Sequence, residues 1–202
     1  MMRCVLWFLA LCATAAAGTI IDQQNTAASN VVGVLNQNVQ WREDFTSGLT
    51  GNLLGFDLFF STLGPTIAQD VVVDVLIGGT SAATRTVHYN GGNETLYFDF
   101  SSAGISLTAG DGWTLQVAGT DTSLPNATTG LYPYQGLSLT QNDTFDGSLI
   151  AHYVSTNTDD WYGLYNLRFI EYVDTGAAVP EPATGALFLL SLAGLAALRR
   201  RA

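Results

Sequence analysis

The chain has 202 residues, 48% of them hydrophobic, enough apolar material for one folded core, so disorder throughout is excluded; its 21 glycines argue for many turns and against long helices. Seven arginines and no lysine face 17 acids, a net charge of -10, and such a surface repels phosphate backbones and anionic lipid, which disfavours nucleic acid as a partner. Both cysteines, Cys4 and Cys12, lie in the N-terminal apolar stretch, so a domain that loses this stretch has neither thiol nor disulfide.

In chain order, the first predicted element is a secretory signal peptide over residues 1–17. Arg3 is its positive flank, Cys4 to Ala13 its apolar run, and Ala15 and Ala17 an Ala-x-Ala site with cleavage expected before Gly18. A buried N-terminal helix is the competing reading, but no polar face interrupts the run. Leu9-Ala10-Leu11-Cys12 is similar to a lipoprotein signal, except that Leu11 is large where a small residue is expected.

From Thr19 onward short apolar runs alternate with Gly, Asn, Asp and Thr clusters, and no stretch of helical length keeps a 3.6-residue period. Strands are predicted at Val31–Leu35, Val39–Phe45, Leu53–Phe60, Asp70–Ile77, Arg85–Tyr89, Glu94–Phe100, Trp113–Val117, Leu131–Gly136, Gly147–Val154 and Trp161–Val173. In ETLYFDF, Leu96, Phe98 and Phe100 share one parity and Tyr97 and Asp99 the other, the signature of one core-facing side. Gly78-Gly79, Gly91-Gly92 and Ala109–Gly112 read as turns. About nine or ten short strands predict an all-β domain, an antiparallel two-sheet β-sandwich of jelly-roll or related type.

At residues 179–182 the sequence reads Val-Pro-Glu-Pro, then ATGALFLLSLAGLAAL over 183–198, then Arg199-Arg200-Arg201-Ala202. The prolines give a stiff, extended lead-in, so a helix begins only after them. The 16 uncharged residues of this segment span about 24 Å as a helix, slightly short of the roughly 30 Å hydrocarbon core, and the arginines hold their end on the cytoplasmic side. Pro180, Glu181 and Pro182, this transmembrane segment, and Arg199, Arg200 and Arg201, in that order, resemble the PEP-CTERM sorting signal of Gram-negative bacteria.

That resemblance implies an exported protein recognised by an exosortase, a membrane cysteine peptidase, and cleaved near Pro-Glu-Pro on its way to the cell envelope, cell surface or exopolysaccharide matrix. The implied partners are the exosortase, the general secretion machinery and, before processing, the membrane through the tail. An ordinary C-terminal anchor on a proline-rich stalk is the competing reading. Two further stretches, Leu107–Val117 and Leu164–Phe169, resemble elements of the β-sandwich ectodomains that often precede such tails, some of them galactose-binding-like. The expected organisation is a signal peptide over 1–17, a β-sandwich over 18–178 and a sorting tail over 179–202, with the terminal apolar helices outside the domain.

The chemistry expected of the domain is slight. His88 and His152 have no compact metal-ligand spacing, and no Gly-x-Ser-x-Gly nucleophile motif occurs. Asp57 with Asp99, or Asp143 with Asp146, are the acid pairs considered for glycoside hydrolysis, but sequence does not place either pair across one cleft. The expectation is no enzyme and no cofactor, with calcium as the candidate ion at the turn carboxylates Asp143 and Asp146. Candidate glycan contacts are Tyr132, Tyr134 and Trp161, aromatics able to stack on a sugar face if exposed; Trp113 and Trp161 also suit a core. A carbohydrate-binding module attaching to exopolysaccharide is therefore the alternative to a surface or matrix protein.

Overall fold

The computed structural model describes residues 17–27, 31–62, 67–122, 135–141, 149–162 and 165–178. All but residues 17–18 and 176–178 of these fall in the compact unit Thr19–Thr175, and the strands form two antiparallel sheets. The first, of eight strands, runs β1 (Ala17–Asn25), β14 (Phe169–Ala178), β4 (Gly51–Thr62), β10 (Gln135–Gln141) and β13 (Tyr165–Leu167); β2 (Val31–Val34) pairs with β10, and β7 (Glu94–Asp99) and β8 (Ser106–Leu107) pair with β4. The second, of six, runs β12 (Thr158–Trp161), β11 (Leu149–Tyr153), β3 (Val39–Thr46), β9 (Gly112–Gly119), β5 (Gln69–Ile77) and β6 (Thr80–Tyr89). The single helical turn among the described residues is a 3-10 turn at Ser101–Ala103.

Period-2 patterning builds the core. Val71, Val73 and Val75 of β5, Trp113, Leu115 and Val117 of β9, and Trp41 and Phe45 of β3 are buried while their neighbours face outward. The inner faces meet through rings: Phe45 of β3 lies edge-on to Phe169 of β14 at 4.9 Å, Phe56 of β4 meets Trp113 at 5.2 Å, and Phe60 meets Tyr89 at 5.0 Å. Phe56, Phe98, Phe100 and Phe169 have no exposed surface, and burying each such side chain contributes about 1.5–3 kcal/mol. A polar tie joins the same faces, since the Trp41 indole N–H donates to the Val34 carbonyl at 2.7 Å.

The expected all-β sandwich is what the chain forms, with differences at particular strands. Trp161–Val173, predicted as one strand, is three. β12 ends at Trp161 in the six-stranded sheet, a turn closes from the Tyr165 N–H to the Tyr162 carbonyl at 2.7 Å, and β13 and β14 belong to the eight-stranded sheet. Of predicted Leu131–Gly136 only the last two residues are described, opening β10, which continues to Gln141. β1 was not among the predicted strands. The predicted terminal apolar helices lie outside the described residues.

Candidate functional site

Because side chains alternate across a strand, the register fixes which residues share the outer face of the six-stranded sheet. Trp161 stands opposite Ile150, Ile150 opposite Arg42, Arg42 opposite Gln116, Gln116 opposite Asp74, and Asp74 opposite Thr84. This row crosses all six strands of the sheet, about 24 Å at the usual strand spacing. The Arg42 Nε donates to Gln116 Oε1 at 2.9 Å and another guanidinium nitrogen to Gln40 Oε1 at 3.1 Å. Asp74 Oδ1 accepts from Ser81 at 2.6 Å and Thr84 at 3.1 Å. Arg42, Asp44, Leu76, Thr114, Gln116 and Ile150 line a shallow concavity of about 400 Å³.

At the end of that row Trp161 is 76% exposed. β12 is an edge strand whose four residues all face water, so no core contact explains the indole. An aromatic side chain that shares one face of the sheet with fixed amide, guanidinium and carboxylate groups is suited to stacking and hydrogen bonding with a polyhydroxylated ring. Trp113, which by sequence suits a core, is buried and stacks on Phe45 at 4.4 Å. Tyr132 and Tyr134 lie outside the described residues, as do Asp143 and Asp146.

A second aromatic patch lies on the outer face of the eight-stranded sheet, where Tyr97 and Tyr172 meet at 5.9 Å. The Tyr172 hydroxyl donates to Asp57 Oδ2 at 2.6 Å, and this bond, with some burial, pushes the phenol up to about 12. Tyr97 is shifted upward by burial, then by Asp99 and Asp57. Asp57 faces Tyr97 in the register while Asp99 faces Gly55. Hydrogen bonding from Ser101, by its side chain and then by its N–H, which donates to Asp99 at 2.9 Å, holds the Asp99 carboxyl below the usual range. This acid pair is thus engaged in a tyrosine contact and a turn. These rings lean on each other with a hydroxyl tied down, whereas Trp161 presents a free face.

Both histidines pair laterally with aspartates across adjacent strands: His88 Nδ1 lies 2.8 Å from Asp70 and His152 Nδ1 2.6 Å from Asp159. Neither pairing was legible from their separation in sequence. Among the described residues no three His, Cys, Asp or Glu side chains group to hold a metal ion, and no helix is long and apolar enough to cross a membrane.

Sequence reasoning passed over two carboxyls in the interior. Glu43 lies between Trp41 and Phe45, is fully buried, and accepts the Leu167 N–H at 2.7 Å; burial pushes it up to about 8. Glu171 lies between Phe169 and Val173, also fully buried, and accepts from Gln23 Nε2 at 3.1 Å; burial and then the charge of Asp22 push it to about 8. Parity was the available signal, since each glutamate shares the core-facing register of its flanking apolar residues.

At the two ends, Ala17 and Gly18 open β1, while Ala15, Pro180, Glu181, Pro182, Arg199, Arg200, Arg201 and the segment 183–198 lie outside the described residues. No curated protein and no solved structure matches this chain. A family model does: the PEP-CTERM protein-sorting motif, over residues 178–201. It takes in the Pro-Glu-Pro element, the apolar segment and the basic cluster in one stretch. The chain therefore carries a PEP-CTERM protein-sorting motif, which marks it as an exported protein sorted to the cell envelope by an exosortase.

Proposed function

We propose that the chain is a non-enzymatic surface or extracellular-matrix protein of a Gram-negative bacterium, whose β-sandwich is the delivered part and whose tail is cut near Pro180-Glu181-Pro182 by the exosortase. The observation that carries this reading is the sorting motif at 178–201. Its apolar segment of 16 residues is marginal as a permanent anchor, which suits a segment that holds the chain in the membrane only until it is cut. Replacing Pro180, Glu181 and Pro182 with alanine in a host with an exosortase is expected to retain the tail that the wild-type chain loses, read by intact mass. Equal retention in both proteins refutes cleavage at this motif.

A second reading is favoured by the exposed Trp161 and the polar row beside it: the six-stranded sheet binds a neutral polysaccharide of the matrix into which the protein is sorted. The acidic surface does not oppose a neutral glycan as it opposes nucleic acid. On a glycan array the exported chain is expected to bind saturably, and Trp161→Ala to weaken binding at least tenfold, as loss of one stacking face implies. Trp161 makes no core contact, so the variant is expected to keep its Tm; no binding by the folded wild-type protein removes this reading and leaves the sorting reading untouched.

A further inference from the structure

We infer that Asp22, Ser47 and Glu171 form a calcium site where β1 and β14 meet the end of β3. Three hydrogen bonds draw these separate segments together. The Gln23 side-chain amide donates both to the Thr46 carbonyl at 2.8 Å and to Glu171 Oε2 at 3.1 Å, and the Gly48 N–H donates to Asp22 Oδ2 at 3.0 Å. The carboxyl of Glu171 is thereby held against Thr46, and that of Asp22 against Ser47–Gly48.

Each of the three side chains keeps a buried oxygen with no hydrogen-bond partner: Asp22 Oδ1, Ser47 Oγ and Glu171 Oε1. Glu171 itself has no exposed surface. The donors that hold these segments together are already used: the Gln23 amide and Gly48 N–H are spent as above, and the Ser47 N–H donates to the Asp111 carbonyl at 2.9 Å. The described arginines are engaged elsewhere: Arg42 with Gln116 and Gln40, Arg85 with the Asp99 carbonyl, and Arg168 with Ser138 and the Thr26 carbonyl. A chain with no lysine has little else to set against two neighbouring carboxylates. An ion from outside supplies the missing positive charge.

The donor set selects the ion. Two carboxylates and a hydroxyl are hard oxygen ligands with no nitrogen or sulfur among them, which excludes zinc and copper as preferred occupants. Ligands from three distant segments suit the irregular six- to eightfold coordination of calcium, with water completing the shell, better than the tight octahedron magnesium demands. Two charged ligands fit the weak binding of extracellular calcium modules, about 10⁻⁴–10⁻³ M. The site is distinct from Asp143 and Asp146 and independent of the sorting and glycan readings.

The test is a thermal unfolding series on the exported chain, stripped with EDTA and titrated with CaCl2 to about 10 mM at constant ionic strength. The wild-type Tm is expected to rise by about 5 °C. Asp22→Asn and Glu171→Gln are each expected to lose most of that rise, and Glu43→Gln, which removes a buried carboxyl outside the set, to keep it. Asp22 lies on an edge strand and is only partly buried, so Asp22→Asn decides the matter even where Glu171→Gln misfolds. No rise in the wild-type protein, a full rise in Asp22→Asn, or an equal rise with MgCl2 would overturn the assignment.

Discussion

Glu43 shows how much one buried acid sets the pH response of the fold. Its neighbours on the inner face of β3 are Trp41 and Phe45, and among the described residues it accepts a hydrogen bond from the Leu167 N–H. Burial raises its carboxyl from 4.5 to about 8, the Leu167 N–H opposes the shift, and the charge of Asp44 adds to it. The folded chain therefore holds a proton that the unfolded chain releases over that window. The contribution of Glu43 to stability is full below pH 4.5 and is lost as pH rises through about 8. At the standard cost per pKa unit the loss between pH 5 and pH 7 is about 3 kcal/mol. Glu43→Gln preserves an acceptor for the Leu167 N–H without the titration. Urea unfolding at pH 5 and pH 7 is expected to show the variant losing about 3 kcal/mol less than the wild-type chain over that interval; identical pH slopes would show that Glu43 does not titrate as described.

At the scale of elements, the β5–β6 hairpin ties sequence to geometry most directly. Ile77 pairs with Thr80, leaving Gly78 and Gly79 as a two-residue turn with φ of 57° and 78°, the left-handed pair that suits the twist of two antiparallel strands. A Cβ on either glycine meets nothing within 4 Å, so an alanine there costs only its conformational strain. Gly79→Ala is expected to lower stability by about 1–2 kcal/mol with an unchanged urea m-value, and Gly78→Asn by less, because asparagine tolerates this region. Gly55 is different in kind, for a Cβ there runs into the Phe98 carbonyl and the Tyr97 ring. β5, β7 and β9 were legible because their burial alternates strictly. β12, Thr-Asp-Asp-Trp, is exposed at every position and offers no parity to read; pairing with β11 alone makes it a strand. The turn that divides β12 from β13 was hidden for a related reason: Trp161 to Tyr165 is aromatic enough to pass for a buried run, yet the chain there changes sheets.

For the molecule as a whole, what could be read depended on separation along the chain. The sorting signal is contiguous, so the order Pro-Glu-Pro, apolar segment, arginines identified it without a structure. Asp22, Ser47 and Glu171 come from three distant segments and meet only after two sheets have closed, and the row from Trp161 to Thr84 needs five strand registers to assemble. Charge is the global property that the ends control. Residues 1–17 contain Arg3 and no acid, and the stretch after Glu181 contains Arg199, Arg200 and Arg201 and no acid. Removing both ends takes away these four arginines and, depending on the side of the cut, Glu181 or no acid. From a starting net charge of -10, the mature form is thus three or four charges more negative. Isoelectric focusing of the secreted fraction is expected to show a species more acidic than the full chain, and the Pro180, Glu181, Pro182 alanine variant to remain on the basic side of it. A wild-type species only one charge more acidic than the variant, the charge of the Glu181 that the variant lacks, would mean that the arginine cluster stays attached.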